Sequence, residues 1–256
     1  MWRSRDVLGL APAVILFLIL VAAWETLAPV FKIPDIILPV PSQIGRSLLD
    51  SDMNWFLHIG VTAFEIAVGF AIAAVFGIAL AVVMVMVSWL RALLMPYVLL
   101  AQMIPKIAFA PLFFLVLGYN LLSAIVVTFL VAFFPMVVDT MTGLNSVDPR
   151  MEDLLRSLQA SRFDILRKAQ IPTALPFIFS GLKVSSTLAV IGATVAEFIS
   201  ARAGLGFLII NAQVTFNAAL AFAAAIYLVL LGIVFYGMID AVERLAMPWK
   251  RKARVA

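Results

Sequence analysis

The sequence predicts an all-α membrane protein with six transmembrane helices and both termini on the cytoplasmic side. Three observations carry this. Hydrophobic residues make up 64% of the 256 residues and charged residues only 12%, about half the roughly 25% usual for globular chains. Six stretches reach the ~20 apolar residues a helix needs to cross the hydrocarbon core, namely 8–31, 58–87, 93–118, 121–141, 175–200 and 219–241. With both ends inside, Arg3, Arg5, Arg91, Arg150, Arg156, Arg162, Arg167, Lys168, Arg244, Lys250, Arg251, Lys252 and Arg254 face the cytoplasm, against Lys32, Arg46 and Arg202 outside. That asymmetry sets the orientation.

The composition also excludes. There is no cysteine, so no disulfide scaffold, and His58 is the single histidine, which removes most metal and nucleophile chemistry. The net charge of +4 marks cytoplasmic loops of a lipid-embedded chain rather than a nucleic-acid surface. No set of paired acids or histidines at membrane depth suggests an enzyme.

The first stretch, Leu8 to Phe31, is too long for a signal peptide and lacks a small-residue cleavage site, so it is read as a retained span. The outer segment opens with Pro34, Pro39 and Pro41, and Ser42 is the expected N-cap of a short amphipathic helix bearing Ile44, Leu48 and Leu49. That helix is placed along the outer membrane surface. The second span carries Gly69, Ala73, Gly77 and Ala81 at every fourth position, and the fifth carries Gly181, Ser185, Ala189 and Ala193. Such stripes let helix backbones approach closely where lipid gives no hydrophobic drive. In the third span, Pro105 removes a helical hydrogen bond, so a kink or unwinding is expected there.

The longest polar stretch inside is the loop 142–174. Pro149 permits a helix start and Pro172 is expected to force a stop, giving two short helices, with Phe163, Leu166 and Ala169 on one face of the second. That face docks either on the protein's own inner surface and lipid headgroups or on a partner. The segment 200–218 is too short and polar to span twice. It reads as a re-entrant turn and short helix closing the outer side of a path through Gly204, Leu205, Gly206 and Phe207.

Charges within spans are costly and need partners or water. Glu65 and Lys106 lie deepest: they form an ion pair that fixes helix positions, or Lys106 marks a passage for an anion. Asp139 and Lys183 near the inner face pair with each other, or Lys183 snorkels. Glu25 and Glu197 are placed within reach of outer water.

Six segments in order carry a family resemblance: LPVPSQI at 38–44, the Gly69-Phe70 step, IPKIAFAPLFFLVLG at 104–118, FFPMVVDTMTGLNSVDP at 133–149, RSLQASRFDILRKAQIP at 156–172 and VAEFISARAGLGFLI at 195–209. Over nearly its whole length the chain resembles the membrane subunit of binding-protein-dependent ABC importers, of the nitrate/sulfonate/taurine type. The family's coupling loop runs Glu-Ala-Ala, a glycine, then Ile-x-Leu-Pro. Here those positions fall on Asp153, Leu154 and Leu155, on Gln159, and on Ala169 to Pro172. If the glycine position has φ > 0, glutamine there costs roughly 1 kcal/mol.

The resemblance implies a type I importer permease fold in a bacterial cytoplasmic (inner) membrane. Two copies would form the path, two cytoplasmic ABC ATPase subunits would supply energy, and a solute-binding protein would deliver cargo from outside. The chain has no G-x-x-x-x-G-K-[ST] loop, so ATP and Mg would belong to the ATPase and no cofactor to this chain. ATPase coupling is assigned to Asp153, Gln159, Ala160, Ser161, Arg162, Phe163, Asp164, Leu166 and Pro172, with Phe163 as anchor. The path is assigned to Glu65, Pro105, Lys106, Ser185, Ser186, Thr187 and Thr194. The cargo class is a small organic solute or anion: sulfonate, nitrate, taurine, an aromatic carboxylate or a vitamin precursor. The PKIAFAPLF variant resembles permeases for aromatic or heterocyclic compounds more than those for sulfonates. The competing function is an ion-gradient-driven secondary transporter, which calls for inverted repeats with a broken helix in each half. Only one proline-interrupted span is evident.

Overall fold

The computed structural model describes residues 4–50, 52–200 and 202–248. Arg3, Lys250, Arg251, Lys252 and Arg254 of the charge asymmetry, and Ala201 of the outer segment, lie outside the described residues. The described chain is helical throughout, without a strand. In order it forms α1 (Ser4–Val30), α2 (Pro41–Leu48), α3 (Trp55–Met86), α4 (Ser88–Met103), α5 (Lys106–Leu117), α6 (Leu121–Leu144), α7 (Pro149–Ser157), α8 (Arg162–Ile165), a π-helical turn (Leu166–Gln170), α9 (Ile171–Ser200), α10 (Leu205–Val214) and α11 (Ala218–Ala246). Five helices are long and apolar enough to cross a membrane: α1, α3, α6, α9 with its preceding turns, and α11.

The third expected span is broken rather than kinked. α4 and α5 meet at 97° across Ile104 and Pro105. Pro105 lacks the N–H that would continue α4, and the residue before a proline is pushed to extended backbone; Ile104 sits at φ −65, ψ 130.

Pro172 does not stop the chain's helix. Residues 162–199 run on as one helical rod, because the turn at 166–170 widens to a π-helix. There the Ile171 N–H reaches back five residues to the Leu166 carbonyl, which shifts the ladder just where Pro172 lacks a donor. Nor is Ser42 an N-cap. Val40 caps α2 with Pro41 at N1, and Ser42 instead donates from its backbone N–H and hydroxyl to Glu25, at 2.9 and 2.7 Å. α2 also buries Ile44 in the protein, within a cluster that includes Trp55, Leu205 and Leu228, and leaves Ser42, Arg46 and Leu49 exposed.

α3, α6 and α9 form the central bundle, and the small-residue stripes face inward within this one chain. A Cβ on Gly69 of α3 would lie 2.6 Å from Thr128 Cγ2 of α6, and one on Gly192 of α9 would lie 2.9 Å from Thr128 Cα. Thr128 is therefore where the three helices close on one another. Asparagines start three of the helices: Asn54, Asn120 and Asn217 each accept the backbone N–H three residues on, filling one of the orphan donors of a helix N-terminus.

Candidate functional site

The first site is the elbow between α7 and α8. Asp148 caps α7 by accepting the Arg150 N–H at 2.9 Å. The chain then reverses at Gln159, which sits at φ 58, the left-handed conformation the missing glycine would adopt freely. α8 starts with a reciprocal capping box: the Asp164 N–H donates to Ser161 Oγ at 3.1 Å, and the Ser161 N–H to Asp164 Oδ2 at 3.3 Å. Lys168 Nζ sits 3.0 Å from Asp164. The Ser161 hydroxyl first, and Lys168 second, hold the Asp164 carboxyl down at about 2. Gln170 ties the rod to α7 by donating to Glu152 at 3.0 Å. The Arg162 guanidinium donates to the Met86 carbonyl at 3.3 Å, a cation on the carbonyl end of α3.

Phe163 and Leu166 do not share a role. Leu166 is 3% exposed and packs with Met84, Met141 and Leu144 in the core, and Ala169 is buried too. Phe163 is 58% exposed, alongside Leu154 and Leu158. Ile165 and Leu166 turn toward the bundle, while Phe163 on the opposite side of α8 stays outside. Asp153, Gln159, Ser161 and Arg162 are also exposed and Ala160 is half-buried. Pro172 stands inside the rod.

The second site is a polar node at the start of α10, and Glu197 is its centre. Glu197 does not reach water; it is 2% exposed. One carboxylate oxygen accepts from Thr62 Oγ1 at 2.6 Å and the other from the Gly206 N–H at 2.5 Å, with the Phe207 N–H also donating. Thr62 in turn accepts the Leu205 N–H at 2.8 Å, and the Gly204 N–H donates to His58 Nδ1 at 3.0 Å. A carboxylate from α9 thus satisfies the orphan donors of α10. Gly204, at φ 121, leaves no room for a Cβ, which would strike that carboxylate. Gly204, Leu205 and Gly206 are therefore buried parts of a latch. His58 and Thr62 were not foreseen as its members. The glutamate seven residues before Gly-Leu-Gly in VAEFISARAGLG is the signal that could have found it.

The in-span charges are paired differently from expectation. Lys183 does not bond Asp139. It donates to Asp240 at 2.6 Å and to Glu243, and Arg244 meets Asp240 at 2.6 Å, so α9 is tied to α11. Asp139 instead packs its Cβ against Gly181. Glu65 and Lys106 do not pair either. Lys106 donates to the Gln102 carbonyl at 3.1 Å and lies 4.9 Å from the centre of the Phe134 ring, a cation–π contact. The 97° break carries Lys106 onto its own helix, away from Glu65 on α3. Ser185 and Ser186 are buried, not open to a path: Ser185 donates to the Ala132 carbonyl of α6 at 2.9 Å and Ser186 to the Lys183 carbonyl at 2.8 Å. Thr187 is exposed and Thr194 half-buried, each donating back along α9. The structure therefore divides these four between the bundle interior and its surface.

Residues 73–247 match the family described as binding-protein-dependent transport system inner membrane component. The chain belongs to this family. Among its relatives, the formylaminopyrimidine transport permease protein ThiX of Halalkalibacterium halodurans is 34% identical over 97% of this chain and 99% of its own length. The riboflavin transport system permease protein RibX of Chloroflexus aurantiacus is 32% identical over 95% of this chain and 90% of its own. The fold is shared with a chain of the MetNI methionine ABC transporter in an inward-facing conformation, with a TM-score of 0.67 at 20% identity over 77% of this chain and 98% of that one. This is thus a multi-pass ABC importer permease subunit, a transport component rather than an enzyme.

Proposed function

We propose that this permease is one half of the path of a bacterial inner-membrane importer for a small planar N–H-bearing heterocycle of the pyrimidine or flavin kind. A second copy completes the path, a solute-binding protein delivers the cargo, and two ATPase subunits holding ATP and Mg drive it. Both termini lie in the cytoplasm, as the basic residues argue. The cargo class is supported by the two permeases that resemble the chain at above 30% identity across almost their full lengths, one named for formylaminopyrimidine and one for riboflavin.

The observation that carries the energetic half is the elbow's geometry. Phe163, Leu154 and Leu158 project apolar surface from a segment locked by caps and ion pairs, and such a patch fits a protein partner. Behind it runs one helical rod of 38 residues, 162–199. At 1.5 Å per residue that is about 57 Å, against ~30 Å for the hydrocarbon core. A push on the elbow by an ATPase therefore moves α9 as a body, and with it Glu197 and the α10 latch at the far end. ATP-driven closure of the ATPase pair would rock the helices between inward- and outward-open states.

The test is Phe163→Asp in the complex with its ATPase. Expected is loss of binding-protein-stimulated ATP hydrolysis and of co-purification. Stimulated hydrolysis at the parent rate would remove the elbow from coupling. A second reading rests on Lys106, a cation without an acidic partner among the described residues, beside a broken span: it meets an anionic group of the cargo. Uptake undiminished in Lys106→Met would eliminate that reading.

A further inference from the structure

Glu65 is a buried carboxyl with an unmet acceptor. It is 4% exposed, and its Oε2 has no hydrogen-bond donor. The contrast with Glu197 nearby is sharp, since both oxygens of Glu197 are occupied. Burial without a partner destabilises a carboxyl in either protonation state, and an intramembrane ionisable group of this kind marks a functional position. Among the described residues nothing donates to Glu65 Oε2.

The residue borders a cleft of about 380 Å³, whose other polar or aromatic lining residues are Glu197, Arg202, Tyr119 and Asn120. That volume lies in the range of small-molecule sites. Asn120 is already committed: its Oδ1 accepts the Ser123 N–H at 3.1 Å and its Nδ2 donates to the Leu117 carbonyl at 2.9 Å. Tyr119 is exposed, its ring set 5.8 Å from that of Phe114. The cleft thus offers the unbonded Glu65 oxygen on a rigid helix, the Arg202 side chain and an aromatic surface at its rim.

We propose that this cleft is a solute station on the path, where Glu65 accepts an amino or ring N–H of a planar heterocycle and Tyr119 stacks on its ring. The inference rests on the cargo class proposed above and adds the residue that reads it. A site built to receive an N–H donor discriminates strongly against analogues lacking one, because the orphan acceptor is then left buried and unpaired.

The permease is reconstituted in vesicles with its ATPase and binding protein, and uptake of radiolabelled formylaminopyrimidine and of riboflavin is measured. The variants are Glu65→Leu, Glu65→Gln and Tyr119→Ala. Expected for Glu65→Leu is an apparent KM at least tenfold higher with a melting temperature equal to or above the parent's. Glu65→Gln, which keeps a carbonyl acceptor, stays within about threefold of the parent KM. Tyr119→Ala raises KM by a smaller factor. If the parent imports a probe and Glu65→Leu imports it with an unchanged KM, the station is refuted while the cargo class stands. If the parent imports neither probe, the cargo class falls and the station with it.

Discussion

Glu197 shows how much one side chain decides. It bridges three elements, taking donors from Thr62 on α3 and from the first residues of α10 while standing on α9. Glu197→Ala leaves the Gly206 and Phe207 N–H groups without their acceptor, while the Thr62 hydroxyl keeps the His58 carbonyl, which costs about 3 kcal/mol. The expected outcome is a clear fall in the melting temperature of the purified permease, with faster amide exchange confined at first to residues 204–208. Glu197→Gln, which keeps one acceptor, should fall between. Gln159 is the opposite case, a residue for which the resemblance offered a left-handed conformation as a condition that the backbone meets. The family glycine position implied φ > 0 and the observed value is 58, so a strain of about 1 kcal/mol is built into the elbow. Neither periodicity nor spacing could pair Glu197 with Thr62, 135 positions earlier.

At the scale of elements, α8 and the π turn are short and depend on local charge. Asp164 serves both as capping-box partner and as the anion beside Lys168, and it titrates near 2 rather than at the ordinary 3.8. A carboxyl depressed in the folded state stabilises at pH values above its unfolded pKa and ceases to do so as pH falls through the folded one. The amide of Asp164 should therefore stay protected from exchange above pH ~4 and lose protection progressively toward pH 2, after correction for intrinsic rates. In Asp164→Asn that pH step should vanish. The α9–α11 tie works differently. Lys183 is mostly buried between Asp240 and Glu243, and Lys183→Met takes this cation from both carboxylates while Asp240 keeps Arg244, a loss of about 2 kcal/mol. Thermal unfolding in detergent measures it, and Lys183→Arg should recover part of the loss. The sequence marked Lys183 as needing a partner but offered Asp139, because both sit at similar depth. Depth is read from position along a span, whereas the partner depends on which faces of two helices meet.

For the whole molecule, the chain has a dense centre and an apolar periphery. α3, α6 and α9 bury their small-residue stripes in one another. By contrast α1, from Val14 to Leu20, and much of α4 and α5 present large hydrophobic side chains outward, as suits lipid or further subunits. No element of the described chain supplies a nucleotide cradle or a second broken helix. The purified permease alone in vesicles should therefore take up neither probe under a proton or a sodium gradient, and uptake should appear on adding ATPase, binding protein and ATP. Gradient-driven uptake by the isolated chain would overturn the importer mechanism.

Hydrophobic length, charge asymmetry and ordered motifs determined that this chain is a membrane-embedded, all-helical permease with a polar elbow between the fourth and fifth of its six expected spans. These are properties of stretches, and each stretch carries its own transfer energy into lipid wherever its neighbours lie. Partnership was decided only in three dimensions. Lys106 takes the Gln102 carbonyl and the Phe134 ring rather than Glu65, Leu166 meets the core while Phe163 does not, and Glu197 becomes a cap because α10 folds back on α9. Each depends on angular register between helices, which a single proline or one extra residue per turn resets and which no linear pattern encodes.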